Sequence, residues 1–136
     1  MKTLVIYYSY SGHTKAIAEK IAADETADIV EIKDAKRPGK LKAYSMGCFA
    51  AIKGRAWPIV SLIVDLALYE RIILLSPIWA GNVPPAINTF LELLPESKIV
   101  SVKLISGSGK SACLTRIESI IIAKAGSVEG IEDIKA

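Results

Sequence analysis

The sequence is poor in the residues that build metal centres and disulfide frameworks. It has one histidine and two cysteines, Cys48 and Cys113, with no CxxC pair. The usual Cys/His metal sites are therefore excluded, and both thiols are expected to be free and buried. Long apolar runs are also missing. The stretch 59–68 carries Asp65 and is followed by Arg71, well short of the roughly 18 uninterrupted residues of a bilayer span. At the N-terminus the apolar run 4–8 gives way at once to polar SYSGHT, so no signal peptide and no membrane association are expected, and a cytoplasmic location follows. With no internal repeat or low-complexity tract, the 136 residues are read as a single domain, 1–136, large enough for one core and too small for two.

Apolar residues make up 51% of the chain and charged residues 23%, with a net charge of +3. The distribution matters more than the sum. Between Lys33 and Arg55 lie seven basic residues against the single acid Asp34, leaving ten basic and thirteen acidic elsewhere. That patch is either a solvated basic loop or a landing site for an acidic partner or phosphorylated ligand. No helix-turn-helix or aromatic RNA-binding pattern accompanies it, so nucleic acid is not an expected partner.

Short apolar runs alternate with helical patterns. Residues 3–8, TLVIYY, are β-branched and aromatic and read as a central strand buried on both faces. A helix over 14–23 follows, with Ile17, Ala18 and Ile21 on one side. Further strands are predicted over 28–33, 71–75, 98–105 and 127–131. Further helices are predicted over 41–52, 58–68, 84–94 and 111–123, the second opened by Pro58. Alternating strands and helices specify an α/β domain with a parallel sheet wrapped on both faces. In such sheets ligands bind beyond the carboxyl ends of the strands, where strand order reverses.

Three loops then matter. Ser9, Tyr10, Ser11, Gly12, His13 and Thr14 join the first strand to the first helix. Hydroxyls around a glycine at a helix N-terminus fit either a phosphate cradle or ordinary N-capping. Ser76, Pro77, Ile78, Trp79, Ala80, Gly81 and Asn82 follow the third strand; Trp79 is either a stacking face for a planar ligand or a core residue. Gly81-Asn82 is able to adopt positive φ. The third loop, Ser106, Gly107, Ser108 and Gly109, belongs to ISGSGKS, which at first resembles an ATP loop. The pattern GxxxxGK[ST] ending at Gly109-Lys110-Ser111 requires glycine at 104, and that residue is Leu104, inside a strand.

The segments YYSYSGHTKAIAEKIA and YERIILLSPIWAGNVPPAINTFLE, in this order and each on a strand-loop-helix, resemble the two main flavin-binding segments of the flavodoxin family. The likeness extends loosely over residues 1–125 and is weakest at 35–57. The resemblance implies a doubly wound five-stranded parallel sheet of order 2-1-3-4-5 and noncovalently bound FMN. It implies that Ser9, Ser11, Gly12, His13 and Thr14 contact the phosphate, with Tyr10 contributing backbone. Trp79 would flank the flavin ring, Gly81 and Asn82 would lie beside its N5, and Ser106–Gly109 would hold its pyrimidine edge.

Several features depart from the family pattern. His13 stands where Asn is common. The third loop lacks the aromatic that covers the second flavin face, leaving that face to solvent, substrate, Trp57 or Tyr44. The C-terminal helix is short or absent after the fifth strand, which leaves a sheet face expected to be apolar and to form a homodimer. The reading that follows is a one-electron carrier between redox enzymes, the Gly81 carbonyl turning toward the flavin. Its partners are redox proteins or a small electron acceptor, and no catalytic residue is nominated. The alternatives are an FMN-dependent oxidoreductase that reduces quinones with NAD(P)H, and a doubly wound binding or assembly module without flavin.

Overall fold

The computed structural model describes residues 2–136. Five strands, β1 (Thr3–Tyr7), β2 (Asp28–Glu31), β3 (Arg71–Pro77), β4 (Lys98–Ser106) and β5 (Gly126–Lys135), form one sheet in the order β2-β1-β3-β4-β5. Every neighbouring pair is parallel. This is the expected topology, and it follows from strands such as β1 and β3 whose interiors are apolar on both faces. Helix α1 (His13–Glu25) packs Ala18 and Ala22 on Val5, Ile73 and Leu75. On the opposite face, α4 (Pro85–Glu92) and α5 (Leu114–Ala125) bury Ile87, Phe90, Leu91, Ile117 and Ile121 against Leu4, Ile6, Ile72, Leu74 and Val102. The larger core is on this second face.

Residues 40–52 are helical as expected, in three pieces: α2 (Lys40–Lys42), a π-helical stretch (Ala43–Gly47) and α3 (Cys48–Ile52). The helix expected over 58–68 is not formed; only Leu66–Leu68 make a 3-10 turn. The segment is rich in β-branched residues, which favour extended backbone. Its first polar groups pair with the chain leaving β2, through Ala35 N–H to the Pro58 carbonyl and Val60 N–H to the Lys33 carbonyl. Ile59, Leu62, Val64 and Leu66 then reach the core from an extended chain.

Strand β5 runs four residues beyond the expected 131, and no helix follows it among the described residues. The sheet face that this leaves beside α1 is not apolar, contrary to expectation. Arg71 bridges Glu25 at 3.3 Å and Glu129 at 2.6 Å, and Lys103 pairs with Glu132. These charges remove the apolar ground on which pairing of two copies through this face was expected. Cys113 is buried, as expected, and burial pushes its thiol upward; Cys48 is only half-buried.

The Arg71 guanidinium holds the Glu129 carboxyl below its ordinary value. A depressed folded-state value stabilises the fold above the carboxylate range, and that contribution is lost as pH falls through it. Glu129→Gln is therefore expected to lower stability at neutral pH by less than about 1 kcal/mol, because the pair is partly solvent-screened. The difference should vanish in acid, as read by urea denaturation at both pH values.

Candidate functional site

The first loop leaves β1 through Tyr8, whose N–H still pairs with the Leu75 carbonyl. Gly12 then caps α1 at φ 102, a conformation open to glycine, and no side chain caps the helix. Ser9 Oγ accepts from Gly12 N–H at 3.0 Å, and Ala16 N–H begins the helical ladder on the Gly12 carbonyl. The N–H groups of His13, Thr14 and Lys15 thus have no intrahelical acceptor. A Cβ at Gly12 would meet nothing within 4 Å, so the space before this helix end is open. Ser11 Oγ lies 3.3 Å from His13 Nδ1, and Thr14 is buried.

The second loop is a two-residue turn. Trp79 N–H donates to the Asn82 carbonyl at 2.7 Å and Asn82 N–H to the Trp79 carbonyl at 3.0 Å. Positive φ falls on Ala80 (50°) and Gly81 (85°), the pattern of a type I′ turn, rather than on Gly81-Asn82. Asn82 instead closes the turn. The Gly81 carbonyl does not face open space: it accepts from Ala112 N–H at 2.7 Å. The turn is thereby stapled to the chain entering α5. Ser76 is fully buried, its hydroxyl on the Pro77 carbonyl.

The third loop is closed on itself. Ser106 Oγ accepts from Gly109 N–H, Ser108 Oγ from Lys110 N–H, and Asp133 from Ser111 N–H. A phosphate clamp needs these same N–H groups free, which is a second physical ground against an ATP loop here. Gly109 lies against β5, where a Cβ would sit 2.9 Å from that of Lys135, whereas Gly107 faces open space.

These loops meet in a cleft of about 240 Å³ lined by Tyr10, Ser11, His13, Thr14, Pro77, Ile78, Trp79, Ile105, Ser106, Gly107 and Ala136. The remaining expected residues do not line it: Ser9, Gly12, Ser76, Ala80, Gly81, Asn82, Ser108 and Gly109 shape the three turns. Trp57 and Tyr44 do not line it either; Tyr44 points outward from the π-helical stretch.

The Tyr10 side chain was not foreseen in this role. Its ring meets Trp79 edge-on at 5.8 Å, its hydroxyl donates to the Pro38 carbonyl at 2.8 Å, and the Arg37 guanidinium lies 4.5 Å above it. Arg37 also donates to the Tyr10 carbonyl at 2.9 Å, bringing one cation of the basic patch to the rim of the first loop. Tyr8 meets the indole from another side at 6.0 Å, its hydroxyl 2.5 Å from Asp34. Burial raises the Asp34 carboxyl above its ordinary value, and the Tyr8 bond and the charges of Arg37 and Lys42 oppose it. Burial and then the Asp34 bond push the Tyr8 phenol far upward, so it stays a neutral donor.

No family model and no curated protein matches the sequence. Solved structures do. A flavoprotein from Lactobacillus acidophilus NCFM in complex with FMN is 26% identical, with 96% of this chain and 91% of that chain covered and a TM-score of 0.74. A protein from Bacteroides eggerthii DSM 20697 is 23% identical, covered to 96% and 86%, with a TM-score of 0.81. Oxidised flavodoxin 1 from Bacillus cereus is 20% identical, covered to 100% and 86%, with a TM-score of 0.58. The fold is flavodoxin-like.

In this flavodoxin-like frame Trp79 is half-buried and braced from behind. A Cβ at Gly47 would lie 2.7 Å from Trp79 Cζ3 and 3.6 Å from Trp57 Cη2. The π-helical stretch therefore rests directly on the indole. Gly47→Ala gains about 1 kcal/mol of helix propensity and incurs about 1–3 kcal/mol of overpacking. The expected result is a net loss of up to about 2 kcal/mol with a changed near-UV signal from the displaced indole. Gly39→Ala, where nothing lies within 4 Å, should leave that signal unchanged.

Proposed function

We propose that this chain binds FMN in the cleft between its three loops and carries single electrons. The observation that carries the reading is the meeting, in one cleft, of an uncapped helix N-terminus and a wall formed by Pro77, Ile78, Trp79 and Ile105. A phosphomonoester needs the first and a planar ring needs the second. The donor set fits: the N–H groups of His13, Thr14 and Lys15, with the hydroxyls of Ser11 and Thr14, would hold the phosphate. Arg37 would add positive charge at the rim. Trp79 and the apolar wall would hold the ring, with Gly107 beside its polar edge. The FMN complex of the Lactobacillus protein supports the same reading.

When bound, FMN supplies the redox chemistry, and the protein supplies position and environment. Thr14 and the wall residues exclude water from the inner cleft. Tyr8, held neutral by burial and by its bond to Asp34, fixes the indole without adding charge. The type I′ turn keeps Gly81 at a φ that tolerates reorientation of its peptide, and one backbone bond, Ala112 N–H to the Gly81 carbonyl, is exchanged when it turns. Exchange of one backbone hydrogen bond for another costs little, which supports single-electron steps.

FMN added to the purified protein is expected to bind at micromolar concentration or tighter, quenching tryptophan fluorescence. Ser11→Ala and Thr14→Ala should each weaken it by about tenfold or more, since each removes a hydrogen bond to a charged group worth about 1.5–3 kcal/mol. Absence of binding at micromolar FMN sinks the flavin reading. In anaerobic reductive titration the protein-bound flavin should take up electrons one at a time, with a long-wavelength absorbance that rises and then falls. Direct conversion to the two-electron-reduced form, together with steady NAD(P)H oxidation by quinones, favours the quinone-reductase alternative.

A further inference from the structure

The helical run α2–α3 has its faces inverted relative to an ordinary surface helix. It buries only small residues, Ala43, Gly47, Ala50 and Ala51, and turns its large apolar side chains outward. Leu41 is 81% exposed, Tyr44 80%, Met46 59%, Phe49 51% and Ile52 55%. A monomeric soluble surface rarely gathers so much apolar area in one place unless something covers it. Cations surround it. Lys42 lies 5.4 Å from the Trp57 ring, and Lys53 and Arg55 lie 5.8 and 5.3 Å from Phe49. None of these cations has a carboxylate partner among the described residues. The single acid of the segment, Asp34, is occupied by Tyr8.

We propose that the outward face of α2–α3 is a docking surface for an acidic electron-transfer protein that presents an apolar side chain ringed by carboxylates. The charge fixes the sign of the partner. A groove of about 420 Å³ between Met46, Phe49, Arg55 and Trp57 fixes its shape, since a concave site suits a protruding side chain better than a flat lipid surface. The position fixes its kind, and here the inference rests on the FMN reading. Gly47, on the inner face of the same helix, touches Trp79 of the cleft, so a docked partner is linked to the ring through this helix and the indole. One electron then crosses, the flavin being oxidised by one and the partner's centre reduced by one.

The test uses a plant-type [2Fe–2S] ferredoxin as the acidic probe and a mitochondrial cytochrome c as the basic one, with binding measured calorimetrically. Ferredoxin is expected to bind, with affinity falling steeply as salt screens the pair. The variant K40E/K42E/K53E/R55E should lower that affinity by about tenfold or more. Phe49→Ser should lower it several-fold without any change in charge, and K53E/R55E, both on exposed side chains, should act in the same direction. Far-UV circular dichroism of each variant reports an intact fold. Equal binding of cytochrome c, indifference of ferredoxin to the charge reversals, or absence of ferredoxin binding overturns the proposal. So does binding confined to phosphatidylglycerol vesicles, or a dimer in light scattering that Phe49→Ser dissociates. If FMN does not bind but ferredoxin docks as described, the flavin reading falls and the surface stands; the reverse outcome removes the surface alone.

Discussion

Everything in this molecule depends on β1 being paired in parallel on both sides, to β2 and to β3. A parallel neighbour is reached only through a right-handed crossover. The chain therefore leaves β1 over one face of the sheet to reach β2, and later reaches β4 and β5 over the other. At the carboxyl end of β1 the departing loops separate, and the gap between them is the cleft. The apolar interiors of β1 and β3 hold this arrangement in place, because turning a face to water would expose Leu4, Ile6, Ile72 and Leu74 on one side or Val5, Ile73 and Leu75 on the other. The site is thus a geometric consequence of burial.

The residues around the cleft divide by what supports them. The first loop is held by few bonds and leaves helix N–H groups without acceptors, whereas the second and third are tied by backbone bonds to Ala112, Ile105 and Ala136. Trp79 lies between these regimes. Its backbone is locked in the turn, and its indole is held by Tyr8, Tyr10 and the helix at Gly47. Such bracing keeps a large aromatic half-buried in a turn-forming loop.

Much of this was legible in the sequence. The β-branched runs 3–7, 71–75 and 98–105 gave the strands their positions, and the hydroxyl-rich loop after the first strand pointed to the correct end of the sheet. The segment 58–68 was misread because its apolar residues fit a helical period as well as a two-residue one, and Pro58 is compatible with either start. Its hydrogen-bond partners at Lys33 and Ala35 lie too far away in sequence for any local pattern to reveal. The bond between Ala112 and the Gly81 carbonyl was hidden for the same reason. By contrast, the small residues Ala43, Gly47, Ala50 and Ala51 recur at helical spacing, and they could have shown that this helix sits close to the body with its large residues outward.

The self-bonded third loop bears on the thermodynamics of the cleft as well as on its shape. Gly109, Lys110 and Ser111 already donate their N–H groups within the chain, and the Ser106 carbonyl accepts from Ala136 N–H. Fixing a backbone residue costs about 1–2 kcal/mol of conformational entropy. For this loop that cost falls on folding, before any ligand arrives, so a ligand touching Gly107 meets a preorganised surface.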